Sequence, residues 1–172
     1  MTETRLLVVD MQQVFADAAS PWRVPGFDAA LAGVTGLLET YAGRTALTRF
    51  VPHPEPTGSW VDYYEAYPFA RDPAAQEQWE LVPELAALDL PVLDAPTMGK
   101  WTPELAATLE EPDTLVLAGV ATECCVLATA LAASDAGVRV RVVADACAGG
   151  TTADHDAALR VLGAFAPQVE VV

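Results

Sequence analysis

The sequence predicts an α/β chain: a three-layer α/β/α, Rossmann-like fold around a mainly parallel six-stranded sheet. Three observations carry this. Short apolar runs too brief for helices recur along the chain, as buried parallel strands require. Segments of helical periodicity alternate with them, which implies crossover connections and a sheet covered on both faces. Finally, 172 residues with 52% hydrophobic composition suffice for one sizeable core, so residues 1–172 are read as a single domain.

Taken in order, residues 5–10 form an apolar run that ends in Asp10 and reads as a central strand, followed by a loop or short turn over 11–18. Leu31, Val34, Leu37, Leu38 and Tyr41 recur at helical spacing, so 27–42 is a helix stopped by Gly43. Residues 45–50 are a second strand. Residues 51–73 break regular structure with Pro52, Pro54, Pro56 and Gly58, yet crowd Trp60, Tyr63, Tyr64, Tyr67 and Phe69 together. This reads as a long ordered insertion, either a substrate lid or a subunit contact. A short helix over 77–87, interrupted at Pro83, precedes a third strand at 91–94. Thr102 caps a helix over 103–109, with Pro103 at its first position.

The fourth strand carries the most chemistry. In TLVLAGVATECCV (114–126) an apolar run is broken at Gly119, and Thr122 is placed to cap a helix running over 124–136 to Gly137. Cys124 and Cys125 then lie in a first helical turn, where free N–H groups and the helix dipole favour a thiolate and could hold an oxyanion. Both could also be small buried residues. A fifth strand spans 138–144 and ends at Asp145. A helix capped by Thr151 or Thr152 reaches about residue 165, and residues 169–172 are the last strand.

The net charge of −15 disfavours nucleic acid and anionic membrane surfaces as partners. No apolar run approaches the roughly 20 residues that span a bilayer. No signal-peptide pattern precedes the first strand, so a cytoplasmic protein is expected. Three cysteines without a Cys-x-x-Cys, and two distant histidines, give neither a disulfide framework nor zinc-ligand spacing. In open parallel sheets, sites gather beyond the C-terminal strand ends. Asp10, Lys100 and the Cys124–Cys125 turn all follow such ends and could converge. Asp10 is a candidate general base or a loop-capping residue; Lys100 is a candidate cation beside a thiol or an exposed lysine.

The order of Asp10 in LLVVDMQ (6–12), Lys100, GVATECCVLATA (119–130) and VADAC (143–147) resembles the isochorismatase-like cysteine hydrolase superfamily over nearly the whole chain. That superfamily includes nicotinamidases and N-carbamoylsarcosine amidases. The resemblance implies a hydrolase cleaving the C–N bond of a small amide through a thioester, with Cys125 as nucleophile, Asp10 as base and Lys100 as cation. It implies a cis peptide at Val120–Ala121 that aims the Ala121 N–H at an oxyanion. Nicotinamidases bind a metal through an Asp-x-His after the second strand; here Phe50 and Pro52 stand at those positions and His53 is one place off. The resemblance is therefore to metal-free members, and no metal or other cofactor is expected. Arg49 either holds a substrate carboxylate or pairs with an acidic neighbour. Phe15, Trp60, Tyr64 and Trp101 are candidate substrate-binding walls. A homodimer or higher homo-oligomer is expected. Two alternatives remain open: an isochorismatase-type vinyl-ether hydrolase and a non-catalytic binding protein on the same fold.

Overall fold

A computed structural model describes residues 3–172. Six strands form one sheet: β1 (Thr4–Val9), β2 (Thr45–Phe50), β3 (Val92–Ala95), β4 (Thr114–Val120), β5 (Arg139–Ala148) and β6 (Val169–Val171). Their order is β3-β2-β1-β4-β5-β6, and every ladder between them is parallel. The strand order reverses between β1 and β4, so a crevice opens where those two strands end.

Successive side chains of the strands serve opposite faces. Leu6 and Val8 of β1 pack with Phe27, Ala30 and Val34 of α2 (Phe27–Thr40). Leu7 and Val9 pack on the other face with Leu105 of α5 (Pro103–Thr108), Ala130 and Ala133 of α6 (Leu127–Asp135) and Leu162 of α7 (Thr152–Gly163). The three-layer arrangement follows directly from these two clusters. Among the described residues, no helix is long and apolar enough to cross a membrane.

Several boundaries differ from the sequence expectation. The segment after β1 holds a one-turn helix, α1 (Gln13–Ala16). The proline-rich insertion is more regular than expected: α3 (Ser59–Ala66) and two 3-10 stretches, Pro68–Arg71 and Pro73–Trp79, run through it. Pro83 opens α4 (Pro83–Ala86) where an interruption was expected, because a proline at the first helical position loses no hydrogen bond. Thr102 and Thr151 do cap α5 and α7, accepting from the N–H groups of Leu105 and Asp154.

Gly119 does not end β4; the strand continues through it to Val120. Its φ of +119° lies outside the range side chains favour, and it pairs with Val9. A Cβ at this position would overlap the Val9 carbonyl oxygen. The bare glycine thus lets β1 and β4 close together at the end that carries the crevice. Past it, β5 bulges: Leu117 pairs with Val142, but Gly119 with Cys147. The bulge presses on α2 at Gly33, where a Cβ would stand 2.7 Å from the Ala146 Cα. Both glycines are fixed by backbone approach.

Gly119→Ala should destabilise the fold by about 3 kcal/mol or more, summing left-handed strain and overpacking. A fall in the urea midpoint at constant m-value measures it; a midpoint within error of the parent would contradict the close approach.

Candidate active site

The site is assembled from the ends of β1 and β4 and from the loop after β3. Asp10 follows β1 with φ +50°, a left-handed conformation that aspartate tolerates better than most residues. Its side chain is fully buried. The Thr48 hydroxyl of β2 donates to Asp10 Oδ1 at 2.7 Å, and Lys100 Nζ lies 3.0 Å from Oδ2. The ammonium also donates to the Thr97 carbonyl at 2.6 Å and stands 5.0 Å from the Phe50 ring centre. Oδ2 accepts no aligned hydrogen bond, which leaves it an open acceptor.

Cys125 lies in a π-helical turn, Thr122–Val126, that precedes α6. The wider turn changes two expectations. Ala121, not Thr122, occupies the cap position, and Thr122 is buried with its hydroxyl 2.8 Å from His155 Nδ1. The Thr129 hydroxyl donates to the Cys125 carbonyl at 2.6 Å while accepting the Lys100 backbone N–H at 3.0 Å. One threonine therefore fixes the cation's loop against the cysteine's turn. The peptides Val120–Ala121 and Ala166–Pro167 are cis.

The thiol is not held as a thiolate. Burial pushes the Cys125 thiol well above its ordinary range. The Asp10 carboxylate adds to this through its charge and its contact with the thiol, and Lys100 opposes it. The direction is therefore opposite to the lowering expected at a helix N-terminus, with burial as its largest cause. Cys124 is exposed; burial and the charges of Glu123 and Asp154 push it up as well.

Cys125 and Ala121 open onto a cavity of about 420 Å³, while Asp10 and Lys100 are buried behind them. Phe15 lines it, as expected from the sequence. Trp60 and Tyr64 do not: they face a separate hollow with His53 and Pro96. Trp101 lies in an open groove with Pro103, Val138 and Pro167. The walls come from Trp22, Phe50, Tyr63, Tyr67 and Met98, and its rim carries Arg23, Glu123 and Asp154. Trp22 is the hub, with ring centres of Phe15, Phe50, Tyr63, Tyr67, Phe69 and Trp79 within 5.0–6.3 Å. Two signals could have found these residues. Trp22 sits in the loop after β1, beyond a strand end. Tyr63 lies in α3 and Tyr67, four residues on, is its C-cap, a spacing that means nothing if the insertion is taken as irregular. Glu123 grips the neighbouring loop, accepting the Gly150 N–H at 2.8 Å.

The isochorismatase domain family model matches residues 4–171. The chain belongs to the isochorismatase family of hydrolases. Isochorismatase domain-containing protein 2 of Xenopus laevis is 41% identical over 90 residues, 49% of this chain and 44% of that protein; the match therefore spans under half of that relative's length. A cysteine hydrolase structure from Pseudomonas syringae superposes with a TM-score of 0.84 at 20% identity, covering 98% of this chain and 88% of that one. A nicotinamidase from Bacillus subtilis gives 0.79 at 17% identity over 99% of both chains. An isochorismatase-like hydrolase from Alkaliphilus metalliredigens gives 0.78 at 22% identity, covering 99% of this chain and 93% of that one. These three show a shared fold.

Among the described residues, no group of three or more His, Cys, Asp or Glu side chains is arranged to hold a metal ion. Phe50 and Pro52 offer no donor atom, and the His53 Nδ1 accepts the Glu55 N–H at 3.0 Å. Arg49 is not free for a substrate carboxylate: it binds Asp94 through Nε at 2.7 Å and Nη2 at 2.8 Å, and Glu80 through Nη1 at 2.6 Å.

The raised thiol has a consequence for alkylation. Labelling of Cys125 by iodoacetamide should be slow at neutral pH and keep rising as pH passes the ordinary thiol range. In Asp10→Asn the thiolate replaces the carboxylate as partner of Lys100, so the profile should shift to lower pH. In Lys100→Met it should shift higher. A parent profile already level at pH 7 would contradict the protonated resting state.

Proposed function

We propose that this protein is a cysteine hydrolase that cleaves the C–N bond of a small amide through a thioester acyl-enzyme. The observation that carries the reading is the meeting of Cys125, which lines a substrate-sized cavity, with a water-shielded Asp10–Lys100 pair. A cysteine hydrolase and a nicotinamidase among its fold relatives support it.

The chemistry follows from the protonation state. The Cys125 thiol attacks the amide carbonyl carbon as its proton passes to Asp10, whose Oδ2 is the open acceptor. The backbone N–H groups of Ala121 and Cys125 hold the oxyanion, each such donor contributing about 3–4 kcal/mol. Protonated Asp10 then returns the proton to the nitrogen, the C–N bond breaks and the amine leaves. Water attacks the thioester with Asp10 again as base. The carboxylic acid departs and the thiol regains its proton. Lys100 holds the carboxylate in place and neutralises each anion as it forms. Because the proton moves during attack, no standing thiolate is exposed to oxidants between turnovers.

A mass-spectrometric screen of a small-amide library for paired release of acid and amine tests the reading. Cys125→Ala should abolish release, and Asp10→Asn should lower kcat/KM by about 10²–10⁴-fold. Asp10→Asn would then slow turnover while speeding alkylation, a combination that a merely structural aspartate does not produce. Hydrolysis of isochorismate that survives Cys125→Ala would establish vinyl-ether cleavage in its place.

A further inference from the structure

Glu123 lies two residues before Cys125 in the same π turn, and the thioester chemistry gives it no part. Its carboxylate crosses to the loop that opens α7, where Oε1 accepts the Gly150 N–H at 2.8 Å. The preceding residue makes a parallel tie, with the Thr122 hydroxyl 2.8 Å from Nδ1 of His155 in the first turn of α7. Two consecutive residues of the nucleophile turn are thus moored to one neighbouring element.

The loop is shaped to receive this carboxylate. A Cβ at Gly149 would stand 2.5 Å from Glu123 Oε2, and one at Gly150 would stand 3.0 Å from Oε1. Gly149 is confined further by the His155 backbone nitrogen, 3.0 Å from the same Cβ. Neither glycine has a positive φ, so the backbone conformation does not call for glycine there; the space does. Oε2 is buried and, among the described residues, accepts no hydrogen bond. An unpaired carboxylate oxygen costs stability, so the arrangement serves something besides stability.

The turn has need of such holding. A π turn is wider than an α-helical one and seldom extends beyond a single turn. Here the Ala121 carbonyl accepts the N–H groups of Cys124 and Val126, on either side of Cys125, at 3.1 and 3.2 Å. Thr129 fixes the Cys125 carbonyl from α6. An oxyanion hole works because its donors are aimed before the charge appears. We propose that Glu123 is a positioning residue: its grip on Gly150 orients the turn so that the Cys125 N–H faces the oxyanion. This rests on the thioester reading above, in which that N–H is a donor. The grip acts through reach and an acceptor oxygen, and the carboxylate's charge is incidental to it.

Two reagents separate oxyanion stabilisation from thiol reactivity. p-Nitrophenyl acetate acylates a thiol through a tetrahedral oxyanion: the S–C bond forms, the C–O bond breaks, and p-nitrophenolate leaves while the thiol proton passes to Asp10. Iodoacetamide alkylates the same thiol by displacing iodide and forms no oxyanion. The quantity read is the ratio of the two Cys125-dependent rates at one pH, with Cys125→Ala as the blank. Glu123→Asp keeps the charge but is one methylene short of Gly150, and Glu123→Ala removes the group. Both should lower the ratio by about tenfold to hundredfold, approaching the loss of one oxyanion donor. Glu123→Gln keeps the reach and an acceptor oxygen, and its ratio should stay within about threefold of the parent. A ratio unchanged in Glu123→Asp and Glu123→Ala, whether both rates fall together or neither falls, overturns the positioning role. A ratio that falls as far in Glu123→Gln as in Glu123→Asp overturns it too, by making the charge responsible. A parent that releases no more nitrophenolate than Cys125→Ala overturns the thioester reading, and this inference with it.

Discussion

The ion pair between Asp10 and Lys100 is the constraint around which this chain is arranged. Two opposite charges are sealed almost completely from water. Taking them out of water costs several kcal/mol per ion, and only tight pairing and further hydrogen bonds offset it. The fold supplies them from three segments: the Thr48 hydroxyl and the Phe50 ring face from β2, the Thr97 carbonyl from the loop after β3, and Thr129 of α6 holding the Lys100 backbone. These segments are distant in sequence, so the pair depends on the sheet, its crossovers and the helix after the nucleophile turn being in place together. A buried pair of this kind adds little net stability. Its value is positional, because it sets a base and a cation at fixed places behind a thiol.

Gly119 makes that placement possible. The β1–β4 ladder brings Val9 against Gly119, and one residue further along each strand the chain departs toward chemistry: Asp10 on one side, the turn leading to Cys125 on the other. The switch in strand order gives the crevice its location, and the missing Cβ gives it its narrowness. The bulge in β5 and the bare face of Gly33 let α2 settle onto the sheet just behind the same strand ends. Backbone proximity, obtained by removing side chains, is what brings groups more than 100 residues apart into one proton-transfer path.

Much of this was legible in the sequence. Strand ends, the placement of Asp10, Lys100 and the cysteine turn, and two of the helix caps follow from local pattern and from the rule that sites gather at strand ends. What was not legible depends on tertiary context. Thr122 has the chemistry of a cap but is claimed by His155 across the interior, and the turn widens to a π form that no capping rule anticipates. The thiol's direction of shift depends on how much solvent remains, a quantity set by α6, β4 and the aromatic wall together. Trp60 and Tyr64 were separated from Tyr63 and Tyr67 only by helical phase, and prolines hid the helix that sets that phase. Trp101 is adjacent to Lys100 in sequence, yet faces an open groove instead of the cavity.

The cavity is built from two independent sources. Its reactive end belongs to strand termini that the core holds rigidly, whereas Trp22, Tyr63 and Tyr67 belong to a loop and an insertion that contribute no strand to the sheet. Those segments hold one another through tilted and edge-on ring contacts, and meet the sheet through the Phe50 ring at the end of β2. Substitutions there can remodel what is admitted without disturbing the proton path beneath. Selection could exchange one substrate for another by rewriting a few dozen residues of wall, leaving the chemistry inherited intact.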